Sequence, residues 1–389
     1  MFEWAEYSED ISPESLARLV SAVSAHASGD GDRQTILLLA DQRGLDLEAI
    51  VAALGAEQRV IGAVFPALLD ASGVRNRGAY AVLADVPSER AILRDAFEPA
   101  AVVEAQASVL LQEHPEAATL FVLLDGQTPG SADTVLQGLR HPFVEKGASF
   151  IGGGAGYGSL SAGPCLFTES EVLPRGAAIV VRFGARSFIG VEHGWSKLAG
   201  PFYASRTDNT TVLELNWRRA SEVYEEHVGP LVDGPITAES FPSVGARFPL
   251  AVLKMKEGLI VRDPMVLTPD GGLFTLGTVP EHSLVVVLEA APDALLAAAT
   301  AAARNAKRGA EEHGGRAPRS ELAGGTLHAF VFDCVSRIDA LGTHFGNEVD
   351  AIQREFSAPI VGVLSLGEVA SSAGNVVEFY NKTTVVVCR

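Results

Sequence analysis

The chain has 389 residues, a formal net charge of −18 and the hydrophobic content of a globular protein, so we expect two or three units that each have a core. A surface this acidic repels polyanions, which argues against nucleic acid as a partner, and solubility is the simplest explanation of the charge. Three widely spaced cysteines argue against a disulfide framework and favour a cytoplasmic location. No signal peptide and no uncharged apolar run of about 18 residues is visible, so we expect no membrane association.

The first predicted element is a helix that begins after Ser12, a candidate N-cap, with Pro13 at its first position. Its apolar residues recur at helical spacing and predict one buried face: Leu16, Leu19, Val20 and Val23.

A pattern of apolar strand, amphipathic helix and second apolar strand then occurs three times along the chain. The strand pairs lie at 35–40 and 59–64, at 119–125 and 149–152, and at 327–334 and 359–363, with helices at 46–54, 132–146 and 347–356 between them. Unbroken apolar strands are typically buried on both faces, and such units form parallel pairs with right-handed crossovers. We therefore expect the strands at 35–40, 119–125, 327–333 and 359–364 to lie inside their sheets.

The middle of the chain has a different character, with short strands separated by turns. These strands are predicted at 178–183, 187–191, 250–255, 259–266, 273–276 and 283–288. A helix at 292–308 follows, and the segment 309–325 is predicted to be a mobile loop. The fold class is therefore α/β in the mixed α+β sense, with two regions of repeated β-α-β units and an antiparallel meander between them.

A domain boundary is predicted between residues 228 and 248. A charged helix at 220–226 ends before it, and 234–249 shows no periodicity. This gives one domain at 30–228 and another at 248–389.

Polar residues follow the apolar runs near the end of the chain: Cys334, Arg337, Glu368, Asn381 and Thr383. Strand ends on a rigid scaffold are common positions for binding sites. We expect Cys334, Arg337, Glu368 and Asn381 to converge on one concave site.

Two interpretations of these residues stay open. Arg337 and Glu368 either pair as a structural clamp, or Arg337 binds a ligand carboxylate and Glu368 a ligand amine. Cys334 is either a small core residue or a thiol whose thiolate form the Arg337 cation favours.

The glycine-rich segment 152–158 is a second candidate, since its backbone N–H groups, at Gly153 and Gly154 among others, are suited to an anion. The alternative is a tight backbone turn, glycine's usual role. Tyr157 breaks the dinucleotide-binding pattern, and Ser365 stands in an incomplete nucleophile elbow with His328 and His344 as candidate bases, so the sequence argues against nucleotide binding and hydrolysis.

No histidine pair has the spacing of a metal site. Non-covalent haem needs one axial histidine and an apolar slot. His193, which would then be the metal ligand, is the first choice, and His344 is the second. The alternative is an ordinary satisfied or exposed imidazole.

The order of these motifs resembles the FIST family, a sensory domain of intracellular signal-transduction proteins. The C-terminal elements are Cys334 with Arg337, Leu341-Gly342, Gly367-Glu368-Val369 and Tyr380-Asn381-Lys382-Thr383. The upstream elements are the segments 149–156, 193–201 and 261–264. Tyr380 departs from the family, which often has His there. The resemblance covers nearly the whole chain and makes 30–228 a FIST N-like domain and 248–389 a FIST C-like domain.

The resemblance implies a small-ligand sensor and not an enzyme. In size the chain is similar to a stand-alone bacterial branch in which non-covalent haem senses nitric oxide and the protein acts on a histidine kinase. We therefore expect haem as the cofactor and a histidine kinase or other signalling protein as the partner; assembly with a second copy stays open. The alternatives are an amino-acid sensor without haem, an enzyme dependent on Cys334 or Ser365, and a scaffold without a ligand.

Overall fold

The structure is a computed structural model that describes residues 2–26, 33–95, 98–112, 119–144, 147–158, 163–183, 186–255, 258–313, 329–371 and 376–388. Its helices are α1 (Pro13–Ser24), α2 (Leu47–Ala53), α3 (Ala100–Gln112), α4 (Ser131–Val144), α5 (Ala220–Val228), α6 (Phe241–Arg247), α7 (Pro292–His313), α8 (Ser336–Leu341) and α9 (Phe345–Gln353). Short 3₁₀ helices lie at Gly229–Leu231 and Gly342–His344.

The strands are β1 (Phe2–Ser8), β2 (Arg33–Ala40), β3 (Val60–Phe65), β4 (Ala67–Asp70), β5 (Gly73–Arg75), β6 (Ala79–Leu93), β7 (Thr119–Asp125), β8 (Ser149–Ala155), β9 (Leu166–Thr168), β10 (Ala178–Phe183), β11 (Phe188–Glu192), β12 (Ser196–Asp208), β13 (Thr211–Leu215), β14 (Arg218–Arg219), β15 (Leu250–Lys254), β16 (Gly258–Leu267), β17 (Leu273–Leu276), β18 (Leu284–Glu289), β19 (Ala329–Cys334), β20 (Val361–Ser365), β21 (Glu368–Ser371), β22 (Val377–Tyr380) and β23 (Thr384–Cys388).

Two mixed sheets carry the three predicted β-α-β units. The larger has the order β22-β21-β8-β7-β10-β6-β2-β3-β9, with β1 on β6, and the smaller has the order β11-β23-β19-β20-β4-β5. The pairs β2–β3, β7–β8 and β19–β20 are parallel, as predicted. The predicted interior strands each have neighbours on both sides, which confirms that prediction except at residues 327–328, which lie outside the described residues.

The third sheet is antiparallel and closes on itself. Its order is β12-β18-β15-β16-β17-β13-β14, and β12 also pairs with β13. We call this closed sheet the barrel. The prediction was wrong to place 178–183 and 187–191 in this sheet. The first is β10, buried throughout between β6 and β7, and the second is mostly β11, which pairs with β23.

Strands from the two ends of the chain are interleaved in both mixed sheets. β21 pairs with β8 and so extends the larger sheet, while β4 pairs with β20 and β11 with β23 in the smaller one. Neither mixed sheet is therefore built from one half of the sequence.

The main core lies between the two mixed sheets. Aromatic rings from both meet there edge to face or tilted, as in the pair of Phe121 and Phe332 with centroids 5.8 Å apart. The other face of the smaller sheet packs against α7 and α9, through residues such as Val331, Leu295 and Ile352. The smaller sheet is thus buried on both faces, in agreement with its continuous apolar strands.

The helices agree with the predictions in position but differ in detail. The predicted apolar face of α1 is buried. Ser12 makes no side-chain cap, because its hydroxyl bonds to the Asp10 carboxylate at 3.1 Å. α7 continues to His313, so residues 309–313 of the predicted loop are helical, and 314–325 lie outside the described residues.

Candidate functional site

The site lies where β19 and β20 end and where the turn between β22 and β23 meets them. Cys334 and Ser365 are the last paired residues of their parallel strands. The Cys334 amide donates to the Thr383 carbonyl oxygen at 3.3 Å, and the Ser365 hydroxyl donates to Glu368 Oε1 at 2.8 Å. Of the four residues predicted to converge on one concave site, Cys334, Glu368 and Asn381 lie near these strand ends, and their side chains are buried. The concave site itself stays a prediction.

We define the polar cluster as Cys334, Glu368, Asn381, Lys382 and Asp263. Asp263 comes from β16 of the barrel, and its carboxylate Oδ2 lies 3.1 Å from Lys382 Nζ. Glu368 and Lys382 have no solvent exposure, and Asn381 has 1 %. The charges of Glu368, Asp263 and Lys382 all act on the Cys334 thiol, which places these groups close together.

Two tight turns build this cluster. Gly367 has φ of 92°, and a Cβ there would lie 2.2 Å from the Phe379 ring and 3.0 Å from Asn381 Nδ2, so only glycine fits. Lys382 has φ of 51°, in the left-handed region that costs a non-glycine residue roughly 1–2 kcal/mol. Lys382 is thus held in a disfavoured backbone conformation inside the protein.

Arg337, at the start of α8, is fully buried and is the centre of a hydrogen-bond network. Its Nε and Nη2 donate to the two carboxylate oxygens of Glu348 at 2.9 and 2.5 Å. The remaining N–H groups donate, at 2.9 to 3.1 Å, to the backbone carbonyl oxygens of His193, Lys382 and Leu295. All five guanidinium donors are therefore used within the protein, and none is left for a ligand carboxylate.

The clamp interpretation of Arg337 was right in kind but wrong in its partner. The carboxylate that pairs with Arg337 is Glu348 of α9, not Glu368. Asp333 also lies 3.4 Å from Arg337 Nε, so two buried carboxyl groups share one cation. Burial and the Glu348 charge raise the pKa of Asp333 well above its usual range, which favours its neutral, protonated form.

Three members of the polar cluster have polar atoms without a hydrogen-bond partner among the described residues. These atoms are Glu368 Oε2, Asn381 Oδ1 and Lys382 Nζ. Burial raises the pKa of Glu368 well above its usual range, which favours the neutral, protonated form of this carboxyl group. Each such buried group costs about 1–3 kcal/mol when it stays unpaired.

The Cys334 thiol is not activated. Burial and the negative charges of Glu368 and Asp263 raise its pKa, and its Sγ lies 3.2 Å from the Ser336 hydroxyl. The expectation that Arg337 would favour the thiolate is therefore wrong, since the net effect of these surroundings is to favour the neutral thiol.

The glycine segment does not form the predicted turn over residues 152–155, which belong to β8. Gly153 lies opposite Glu368, and the Gly154 amide donates to the Gly367 carbonyl oxygen at 2.8 Å. A Cβ on Gly154 would lie 2.3 Å from the Leu366 oxygen. These glycines let β8 approach the Glu368 turn closely, and the Gly154 amide is not available to an anion.

His193 lies in the connection between β11 and β12, beside Arg337. Its Nδ1 accepts a hydrogen bond from the Trp195 amide at 2.9 Å, and burial together with the Arg337 charge lowers its pKa to about 4. The neutral imidazole therefore carries its proton on Nε2. Iron ligation through Nε2 needs the proton on Nδ1, which breaks the Trp195 bond, so the observed geometry does not fit an axial haem ligand.

His344 is exposed at the end of a 3₁₀ helix. An exposed imidazole lacks the apolar slot that haem requires. The second haem candidate therefore does not fit the group either. His328, a candidate base for Ser365, lies outside the described residues.

Sequence analysis did not single out Lys382, Asp263, Glu348 or Trp195 as site residues. The signal for Glu348 was its place on the apolar face of α9, next to Val349, where a charged residue is rare unless paired. Lys382 stands between Asn381 and Thr383, which were both singled out.

The described residues contain no group of three or more His, Cys, Asp or Glu side chains placed to hold a metal ion. Within the same residues, no helix is both long and apolar enough to cross a membrane. Cys165, Cys334 and Cys388 are buried and form no disulfide.

These features define a mixed α+β protein with a buried polar site at the junction of three sheets. The FIST N domain family model matches residues 34–218, and the FIST C domain model matches residues 220–371. The chain belongs to the FIST family, whose members are small-ligand sensory domains of signalling proteins. No curated protein matches the chain. The two matches meet at residue 219, which precedes the predicted domain boundary between 228 and 248. The division into domains at 30–228 and 248–389 stays a prediction.

Proposed function

We propose that this protein is a sensor that binds a small polar molecule in the polar cluster and passes the signal to a partner protein. The observation that supports it is a set of three polar atoms without a hydrogen-bond partner among the described residues, all on fully or almost fully buried side chains: Glu368 Oε2, Asn381 Oδ1 and Lys382 Nζ. In the free protein these atoms bear a desolvation cost that no hydrogen bond offsets. A ligand that completes the hydrogen bonds removes this cost, and the difference adds to the binding free energy.

The chemistry of the three groups suits a ligand with both donors and acceptors. Lys382 offers only donors, the protonated Glu368 carboxyl donates one hydrogen bond and accepts others, and the Asn381 oxygen accepts. An amino acid, the ligand class that the sequence analysis offered beside haem, has groups of both kinds. A ligand ammonium beside Glu368 favours its ionised form, so we expect binding of an amine to lower the pKa of this carboxyl group.

Haem and nitric oxide sensing stay predictions from the resemblance. Neither His193 nor His344 has the geometry of an axial ligand, so the proposal contains no haem. An absorption spectrum of the purified protein with added haem tests this directly, since a Soret band that His193→Ala abolishes would restore the haem hypothesis.

An enzymatic role for Ser365 has no support at the site. Its hydroxyl donates to Glu368 at 2.8 Å and lies 3.3 Å from the Asp333 carbonyl oxygen. These contacts provide no imidazole base, which a serine nucleophile of the hydrolase type requires.

Partner signalling follows from the family and not from the site. A histidine kinase is our expectation for the partner. A pull-down with and without the bound ligand tests whether ligand binding changes that association.

The test of the proposed site is a binding screen by thermal shift and calorimetry against amino acids, small amines, carboxylates and amides. Glu368→Gln changes the hydrogen-bonding pattern at the cluster, and we expect it to weaken binding by about 30-fold, equivalent to the ~2 kcal/mol of a hydrogen bond to a charged group.

Glu378→Gln is the matched control. Glu378 lies on the adjacent strand β22 and is also buried, but its carboxylate pairs with Lys254 and Arg140. We expect this variant to bind the ligand normally. No binding by the wild type, or equal loss in both variants, would overturn the proposed site.

A further inference from the structure

Lys382 Nζ is the most poorly satisfied charged group of the polar cluster. It has no solvent exposure and no hydrogen bond of good geometry, although Asp263 Oδ2 lies 3.1 Å away and the Trp195 ring centroid 5.7 Å away. An ammonium group carries three donors. A buried cation with unused donors is costly unless an acceptor pairs with it.

The neighbouring buried cation has more hydrogen bonds than Lys382. Arg262, next to Asp263 on β16, donates to the carbonyl oxygens of Thr278 at 2.8 Å, Val261 at 3.1 Å and Phe379 at 2.9 Å. Lys382 has no such set of carbonyl acceptors. The backbone carbonyl oxygen of Lys382 accepts hydrogen bonds from Arg337 and from Trp195 Nε1. These bonds hold the Lys382 backbone in place, whereas the side-chain ammonium has no comparable hydrogen bonds.

We infer that the ligand carries a carboxylate and that this group binds Lys382 in the place that Asp263 holds within the chain. The inference rests on the proposed function. A carboxylate presents two acceptor oxygens and one negative charge, which matches a single ammonium group. A phosphate dianion fits less well, because the Asp263 carboxylate beside Lys382 repels a second negative charge.

The exchange has a structural consequence because Asp263 and Lys382 belong to different sheets. Asp263 is on the barrel, and Lys382 is on the turn after β22 of the larger sheet. A carboxylate that replaces Asp263 removes one ionic link between them. The links that remain among the described residues include those from Arg262 to the Phe379 carbonyl oxygen and from Lys254 to Glu378. Ligand binding therefore loosens one attachment of the barrel at the site itself.

Asp263→Asn is the first test variant, with free amino acids and their carboxamides as the probes. Removing the internal carboxylate leaves Lys382 uncompensated, so we expect a lower melting temperature than the wild type. It also removes the competitor, so we expect amino acids to bind at least about tenfold more tightly and to raise the melting temperature more than in the wild type. The carboxamides should do neither.

The double variant Lys382→Met/Asp263→Asn removes both charges and so avoids an unpaired buried carboxylate. We expect it to fold and to lose the preference for amino acids over carboxamides, a loss of about 30-fold in amino-acid affinity. Lys254→Met, which breaks a second ionic link to the barrel, is the matched control and should keep the preference.

The outcomes separate the two proposals. Binding that depends on Glu368 but does not distinguish amino acids from carboxamides would overturn the carboxylate inference and leave the proposed site intact. Equal preference in the double variant and the wild type would also overturn it. A wild type that binds none of the screened compounds would overturn both proposals.

Discussion

Arg337 and Lys382 are both fully buried cations a short distance apart, yet their surroundings differ. Arg337 uses all five donors on Glu348 and on three backbone carbonyl oxygens, while Lys382 Nζ has no hydrogen bond of good geometry. The planar guanidinium suits a fixed, saturated structural role, whereas the ammonium is a mobile point charge. We therefore assign stability to Arg337 and recognition to Lys382.

Replacement of Arg337 tests its structural assignment. Arg337→Met leaves Glu348 charged and buried without a partner, which should lower the free energy of unfolding by about 3–5 kcal/mol in chemical denaturation. Arg304→Met removes an exposed ion pair to Glu355, 3.0 Å long, and should cost less than about 1 kcal/mol. The double variant Arg337→Met/Glu348→Leu should recover much of the loss. Equal stability of the two single variants would refute the assignment.

His193 predicts a pH dependence of stability. Its pKa in the folded protein is about 4, below the ordinary value of about 6.5, so the unfolded chain binds the proton more tightly. The His193 contribution is fully present above pH 6.5 and is lost as the pH falls towards 4, up to about 3 kcal/mol. His193→Asn keeps a side-chain acceptor for the Trp195 amide and removes the titration. The difference in unfolding free energy between wild type and variant should therefore change across this window, and a constant difference would contradict it.

The residues of the site that sequence analysis could identify are those that follow apolar strands, such as Cys334, Glu368 and Asn381. Asp263 could not be assigned, because its contact with Lys382 joins segments that are distant in the sequence. Glu348 is only 11 residues from Arg337, but their pairing depends on how α8 and α9 pack. Both candidate partners of Arg337, Glu368 and Glu348, are glutamates. The choice between them depends on which carboxylate the tertiary fold brings within hydrogen-bond distance, and the sequence does not show this.

At the scale of elements, unbroken apolar runs were reliable indicators of interior strands. The barrel was only partly predicted, because β12 is long, consists mostly of exposed and half-buried residues and contains Gly200-Pro201, and because β13 and β14 are short. The continuous apolar sequence of β10 predicts a buried strand, but the sequence does not show to which sheet this strand belongs.

Gly152 in β8 tests how closely β7 and β8 must approach each other. A Cβ at this position would lie 1.8 Å from the Val122 carbonyl oxygen, so Gly152→Ala should force the parallel pair apart and cost about 3 kcal/mol. The control is Gly55→Ala, since a Cβ at Gly55 has no atom within 4 Å. Thermal unfolding measures both, and equal melting temperatures would show that the strands can move apart freely.

At the scale of the whole molecule, the interleaved strands predict that the two family-matched halves do not fold separately. Fragments 1–219 and 220–389 each leave strands of both mixed sheets without their partners. We expect neither fragment to unfold cooperatively in urea, followed by circular dichroism, and we expect a mixture or co-expression to restore the cooperative transition. A fragment with a cooperative transition of its own would contradict this.

The same interleaving affects how the protein is made. β8 and its sheet neighbour β21 are separated by more than half the length of the chain. β8 is therefore synthesised well before β21. At roughly 5–20 residues per second, translation of the intervening segment takes roughly 10–40 seconds. During that interval the nascent chain presents an unpaired apolar strand edge, the kind of surface that aggregates or recruits chaperones. The yield of native protein should therefore depend on the speed of translation after β8, with faster synthesis shortening the exposure.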